Sequence, residues 1–285
     1  MKAKQTITWV LAIVMCVMMA GLASAADKKQ KVEIAYVEWA CATASSNVVK
    51  AVIQEKLGYE CELTSVSAAA MFQALATGDI DAMTTAWLPV THKDYLAKIK
   101  DKVVDLGPNL HGARLGLVVP AYVTIDSIDQ LNAHAKEFDG KITGIDPGAG
   151  MMKTTETVLA EYKLDKFELM EGSGAMMTAV LGNAIKKKKW VVVTGWAPHW
   201  KFGRWDLKIL DDPKGLYGSE ETINTLVRKG LDTDMPDVYK FLDNFYWTTA
   251  DIGQVMVWNQ DGMDEYESAK KWVTENPDKV NAWLK

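Results

Sequence analysis

The apolar positions of this chain change rhythm as the sequence runs. "KVEIAYVEW" (31–39) alternates loosely between apolar and polar positions and is rich in β-formers, so it reads as a strand. "TASSNVVKAVIQEKLG" (43–58) then sets apolar residues at helical spacing behind a Ser46 or Asn47 N-cap, with Gly58 as the stop. "YECELTSVS" and "DIDAMTTAW" repeat the strand pattern on either side of a helix, "AAAMFQALATG". Gly and Pro punctuate "LGPNLHGARLGLVVPAYV" (106–123), where "RLGLVVP" looks like a strand leaving one part of the molecule for another. Beyond it the alternation restarts. "ITGID", "FELMEGS", "WVVVTGW" and "LKILDDP" read as strands, and "PGAGMMKTTETVLAEYK" and "AMMTAVLGNAIKKKK" as helices between them. From Ser219 to Lys285 the pattern is helical, in "SEETINTLVRKGL", "PDVYKFLDNF", "TADIGQVMVWNQ" and "DEYESAKKWVTENPDKVNAWLK".

This alternation predicts an α/β protein with parallel sheet and right-handed crossovers. Two such units joined at Gly/Pro-marked crossings, with a helical return, predict two lobes around a cleft. The expected organisation is a first lobe from 30–117, a second from 118–218, and a return to the first at 219–285. Ligands of open α/β sheets bind beyond the carboxyl ends of the strands, so those ends carry the candidate chemistry.

The first 25 residues add a localisation. Lys2 and Lys4 precede the apolar "WVLAIVMCVMMAGLA", and "ASA" ends at Ala25, which is the pattern of a cleaved secretory signal. The expected mature protein is exported, soluble and periplasmic. Its balance is 30 basic against 37 acidic residues, which argues against a nucleic-acid partner. Cys41 and Cys61 remain in an oxidising compartment, but they fall at opposite ends of neighbouring strands, about 20 Å apart at ~3.3 Å per residue, too far for a bridge. The four histidines lack close metal-ligand spacing, so neither a metal nor a cofactor is expected. A thiol hydrolase using Cys41 and His92 lacks an evident orienting Asn or Asp, and the expectation is a protein that is not an enzyme.

Three predicted strands finish in tryptophan: Trp39, Trp87 and Trp196. One such residue is ordinary packing, but three at equivalent positions in both halves make a box. Indole faces are electron-rich and attract a diffuse cation, each for ~0.5–2 kcal/mol. A quaternary ammonium suits such a box because it has no N–H groups that need partners. A fourth strand end, "GIDPGAGMM", turns tightly into a helix and leaves unpaired N–H groups at its start, an anion seat. Together the two features describe a zwitterion, with a quaternary nitrogen at one end and a carboxylate at the other. Taken alone, His92 fits a surface loop as well as a ligand contact. His199 and Trp200 read as supports for Trp196, and Trp247 as packing that could supply a fourth wall.

"AWLPVTH", "LGPNLHGARLGLVVP", "GIDPGAGMM", "VVVTGWAPHW", "DDPKG" and "RKG" resemble the glycine betaine/proline betaine binding proteins of ABC transporters (OpuAC-like), over nearly the whole chain from Val32 to Lys285. The resemblance implies a two-lobed, type II periplasmic-binding-protein fold that closes on its ligand. It implies that Trp39, Trp87 and Trp196 cage the quaternary ammonium, and that the carboxylate is held by the backbone N–H groups of Gly150 and Met151 with help from His92. The implied partners are the ligand and a membrane permease, and the expected state is a monomer. One departure stands out. Ala40, Cys41 and Ala42 follow the first tryptophan where the family commonly has acidic and hydroxyl residues, so Cys41 is expected near the cleft.

Overall fold

The computed structural model describes residues 31–285; the expected signal sequence lies outside the described residues. Nine strands form one curled sheet among them. They are β1 (Lys31–Tyr36), β2 (Glu60–Ser65), β3 (Ala82–Leu88), β4 (Val103–Pro120), β5 (Lys141–Thr143), β6 (Glu168–Met170), β7 (Val192–Ala197), β8 (Leu207–Ile209) and β9 (Glu221–Arg228). Their order is β2-β1-β3-β9-β4-β7-β5-β6, with β8 paired to β4. β1 runs parallel to β3, and β5 runs parallel to both β6 and β7. The centre is antiparallel, however: β9 lies between β3 and β4, and β7 follows β4. The sheet is therefore mixed rather than parallel throughout.

β4 is the strand on which both halves are built. Its 18 residues pair with β9 from Val103 to Ala113, then with β7 from Arg114 to Val118 and β8 from Val118 to Pro120. The strand expected over "RLGLVVP" thus extends back through the Gly- and Pro-punctuated stretch to Val103. Register shifts at three places along the β9 pairing absorb its irregular residues, and Gly107 and Gly112 take positive φ there.

The second difference is β9 itself. "SEETINTLVRKGL" carries apolar residues compatible with a helix, but Glu221–Arg228 is a strand, with Ile223 and the run from Asn224 to Val227 buried. Thr222, Ile223, Thr225 and Val227 are β-branched, and the segment is paired on both sides by β3 and β4, so tertiary pairing overrides the local pattern.

The helices α1 (Ala40–Val52), α2 (Ala68–Thr77), α3 (Lys93–Ile99), α4 (Gly150–Glu161) and α5 (Gly174–Lys186) connect the strands. A short turn, α6 (Lys201–Arg204), follows β7, and α7 (Leu231–Asp234) follows β9. The chain ends in α8 (Pro236–Asn244), α9 (Thr249–Gln260), α10 (Glu265–Glu275) and α11 (Pro277–Trp283), so the stretch expected to be helical from Ser219 is helical only beyond the strand Glu221–Arg228. No helix among the described residues is long and apolar enough to cross a membrane.

α1 starts six residues ahead of the predicted cap. Trp39 is its N-cap, and Ser46 and Asn47 lie inside it, buried. Neither caps the helix: Asn47 Nδ2 donates back to the Thr43 carbonyl at 3.0 Å, and the buried Ser46 hydroxyl finds no hydrogen-bond partner among the described residues. β1 consequently stops at Tyr36, and Trp39 sits at a helix start rather than a strand end. Gly58 ends the π-helical segment Ile53–Leu57 that continues α1, and Gly78 ends α2, both in the left-handed conformation.

Two apolar cores result. One is confined to residues 117–217 and includes Leu117, Ile128, Phe138, Ile142, Val192 and Leu210. The other is dominated by β1, β3, β9 and the helices α1, α2, α8, α9 and α10, and it reaches Met151, Met177 and Trp196 across the cavity described next. Trp247 belongs to this larger core, edge-on to Trp272, which in turn stacks on Trp283. Cys41 and Cys61 are both buried and free.

Candidate functional site

Trp39, Trp87, His92, Gly150, Met151 and Trp196 line one small cavity. Cys41, Thr91, Leu115, Ile145 and Ala149 complete the lining. Trp247 is not part of it. Each indole arrives by a different route. Trp39 ends the turn between β1 and α1; Trp87 and Trp196 each stand one residue before the end of a strand, on β3 and β7. All three rings are buried.

Hydrogen bonds fix the walls. The Trp39 Nε1–H donates to Asp146 Oδ2 at 2.8 Å, which ties the first indole to the "GIDPGAG" turn. The Trp87 backbone N–H donates to His92 Nδ1 at 3.0 Å. That bond leaves the ring proton on Nε2, so neutral His92 remains a donor. Burial holds the His92 pKa down to about 3, and the ring stacks on Trp39 at 5.8 Å. The loop between Trp87 and His92 is anchored by Glu221. One oxygen of its carboxylate accepts the Val90 N–H at 2.6 Å and the Thr91 N–H at 2.8 Å, and the other accepts the Thr91 hydroxyl.

The opposite wall is the start of α4. The Ala149 N–H bonds the Asp146 carbonyl at 3.0 Å, and the Met152 N–H bonds the Ala149 carbonyl at 3.0 Å. Between them, the Gly150 and Met151 N–H groups stand where a helix has no intrahelical acceptor, and Ala149 supplies no side-chain cap. The macrodipole adds partial positive charge at the same place. Gly150 is required by contact rather than by conformation: a Cβ there would lie 2.2 Å from the Thr91 carbonyl oxygen. Tyr95 also crosses the gap, its hydroxyl donating to the Gly148 carbonyl at 2.8 Å, and Lys153 pairs with Asp94.

No carboxylate, lysine or arginine lines the cavity. The Cys41 thiol, pushed up to about 11 by burial, stays uncharged. It faces the Trp196 indole N–H, which finds no acceptor in hydrogen-bond geometry. Behind the strand, His199 is buried edge-on to Trp196 at 4.7 Å, and Trp200 packs on His199 at 5.1 Å and on Trp205 at 5.5 Å. Both therefore back the Trp196 ring rather than line the cavity. Among the described residues, no three metal-ligating side chains gather.

Sequence reading missed Asp146 and Glu221. Asp146 stood in the quoted "GIDPGAG" turn and could have been singled out as a carboxylate beside an indole N–H. Glu221 had no local signal, because its role depends on β9 being a strand.

The chain matches the family described as the substrate-binding domain of ABC-type glycine betaine transport systems over residues 30–275. It is 48% identical over 162 residues to a glycine betaine/carnitine transport binding protein of Listeria monocytogenes, an alignment that covers 56% of this chain and about half (54%) of that protein. It superposes on lactococcal OpuAC in its closed form complexed with glycine betaine, with a TM-score of 0.86 at 44% identity, covering 90% of this chain and 100% of that one. It also superposes on an ABC-transporter choline binding protein in complex with choline, with a TM-score of 0.83 at 28% identity, over 90% of this chain and 92% of that one. The architecture built on β4 is that of the type II periplasmic binding proteins. By sequence over residues 30–275 and by fold, the chain belongs to the family of substrate-binding domains of ABC-type glycine betaine transport systems.

Proposed function

We propose that the protein binds glycine betaine or a related quaternary ammonium zwitterion and delivers it to an ABC importer. One observation carries the reading. Three indoles enclose a cavity that has no charged side chain, opposite two free backbone N–H donors and a neutral histidine. Such walls attract a diffuse cation but offer it no counter-ion, and burying an unpaired charge is costly. A ligand that carries its own carboxylate meets both halves of the site. Trp39, Trp87 and Trp196 take the ammonium; Gly150 N–H, Met151 N–H and His92 take the carboxylate.

Binding proceeds by closure of two lobes, 30–117 with 219–285 against 118–218. The core confined to residues 117–217 and the change of β4 partners at Ala113–Arg114 support this division. Ligand favours closure by its differential affinity for the closed form. The protein acts as an exported monomer, with its signal cleaved after Ala25, and catalyses no reaction. The mass of the secreted protein checks the cleavage site.

Titration calorimetry with glycine betaine, proline betaine, carnitine and choline tests the ligand class; no binding by any of the four overturns it. Trp196→Ala removes one wall of the cage and should weaken binding at least tenfold, given ~0.5–2 kcal/mol of cation–π attraction plus lost apolar contact. Wild-type affinity in that variant removes Trp196 from the site.

A further inference from the structure

Lys201 opens α6, five residues beyond Trp196, and its side chain has no solvent exposure. Its Nζ is buried without a hydrogen-bond partner among the described residues. It lies 4.4 Å from the centroid of the Trp196 ring and 5.4 Å from that of Phe202. Gly195 lies beside it: a Cβ there would come within 3.4 Å of Nζ, an ordinary contact, and its real obstacle would be Val118 Cγ2 at 2.2 Å. Below it, the Lys201 backbone N–H donates to His199 Nδ1 at 3.1 Å. Lys201 does not line the cavity, whereas Trp196 does. The ammonium and the cavity therefore share one indole.

The negative potential of an indole is finite, and two cations that draw on it also repel each other. We propose that Lys201 is a specificity-determining residue of the cage: its ammonium, seated on Trp196 outside the cavity, disfavours ligands of net positive charge and leaves zwitterions favoured. The proposal rests on the betaine reading above and deepens it. A ligand cation on the same indole lies about 9 Å from Nζ, and at an effective dielectric of ~20 the repulsion amounts to roughly a 20-fold loss of affinity. In a zwitterion the carboxylate, further along the ligand, recovers most of that loss. The discrimination between a simple cation and a zwitterion is then on the order of tenfold.

The effect depends on charge, and Lys201 is placed to lose it. Burial without a partner holds its pKa down to about 7. The titratable groups facing it are Cys41 on α1, whose thiol is pushed up to about 11, and His199 on the β7–α6 turn, held neutral by burial and by Lys201 itself. Neither changes charge from about pH 6 to pH 9, nor does His92 in the cavity, so Lys201 is the group that titrates there.

The test is calorimetry of the full chain and of Lys201→Met with glycine betaine and with choline, which replaces the carboxylate by a hydroxyl, at about pH 6 and pH 9. In the unaltered chain the choline-to-betaine affinity ratio should rise on the order of tenfold between the two pH values. In Lys201→Met it should be flat and equal to the high-pH ratio. Near pH 7, choline binding should expel a proton, read as an enthalpy that varies with the buffer's ionisation heat, and Lys201→Met should expel none. The pH series on the unaltered chain needs no variant to fold. Betaine binding with a pH-independent ratio, or choline excluded equally from both proteins at both pH values, overturns the role of Lys201 alone. No binding of either ligand to the unaltered chain overturns the betaine reading as well.

Discussion

Gly150→Ala isolates the contact on which the closed cavity depends. The glycine does not adopt a left-handed φ, and it opens a helix, where alanine is intrinsically better by ~1 kcal/mol. Backbone conformation therefore gives no reason for the substitution to harm. The obstacle is Thr91: the new Cβ would lie 2.2 Å from its carbonyl oxygen and 2.9 Å from its Cγ2. Ordinary C···O contacts begin near ~3.3 Å, so one side must retreat by about 1 Å. Thr91 cannot retreat alone, because Glu221 holds both its N–H and its hydroxyl. Overpacking of this kind costs about 1–3 kcal/mol. In the proposed lobe closure, opening the cleft would relieve it, so the cost would fall on the closed form and appear as affinity lowered about 5- to 150-fold. The assay is paired calorimetry with glycine betaine and thermal melting without ligand. Affinity should fall, while the ligand-free midpoint moves by no more than a few degrees. Gly148→Ala is the control, since nothing lies within 4 Å of a Cβ there, and it should bind as the parent does. Undiminished affinity in Gly150→Ala refutes the reasoning. So does a large loss of thermal stability with binding intact, which would make the contact part of the permanent core.

Two further outcomes follow from the same geometry. Asp146→Ala removes the acceptor of the Trp39 indole N–H, a charge-assisted bond of about 1.5–3 kcal/mol, so it should lower affinity on the order of tenfold or more, and Asp146→Asn should lose less; equal affinities across the series, by fluorescence titration, would show that the bond does not orient Trp39. His92 governs acid sensitivity. Its pKa is about 3 folded and about 6.5 unfolded, so the unfolded chain binds the extra proton between those values and stability falls with pH from about 6.5 downward. The loss from this residue reaches about 3 kcal/mol by pH 4, and His92→Gln should flatten the denaturant midpoint over that range; an unchanged pH profile would show that the ring is not buried neutral.

The sequence carried the architecture wherever apolar periodicity decides it, and failed where pairing decides it. Gly58 and Gly78 were legible as helix stops because a left-handed residue after an apolar face has a local cause. β9 was not, since Glu221–Arg228 becomes a strand only when β3 and β4 flank it. The start of α1 was misplaced for a related reason: Ser46 looks like a cap until α1 is packed against β3, and then it is an interior residue. In the site, the indoles and the Gly-rich turn were visible because both are unusual residue types at, or a few residues beyond, strand ends. Glu221 and Lys201 were not. A carboxylate that anchors a loop 130 residues away, and a lysine that hides on an indole, acquire meaning only from what the fold sets beside them.

The bond from Trp39 to Asp146, with the Tyr95–Gly148 and Lys153–Asp94 contacts, spans the cavity without any help from cargo. Such ties lower the free-energy gap that a ligand must make up, so a weakly interacting solute can still tip the protein shut. They also raise the share of molecules that shut empty. Under the proposed delivery role each of these would be a decoy, competing with loaded copies for the importer. Loosening Asp146 would then trade capture at low solute for fewer wasted encounters, and the strength of that single bond would set the balance between scavenging and throughput.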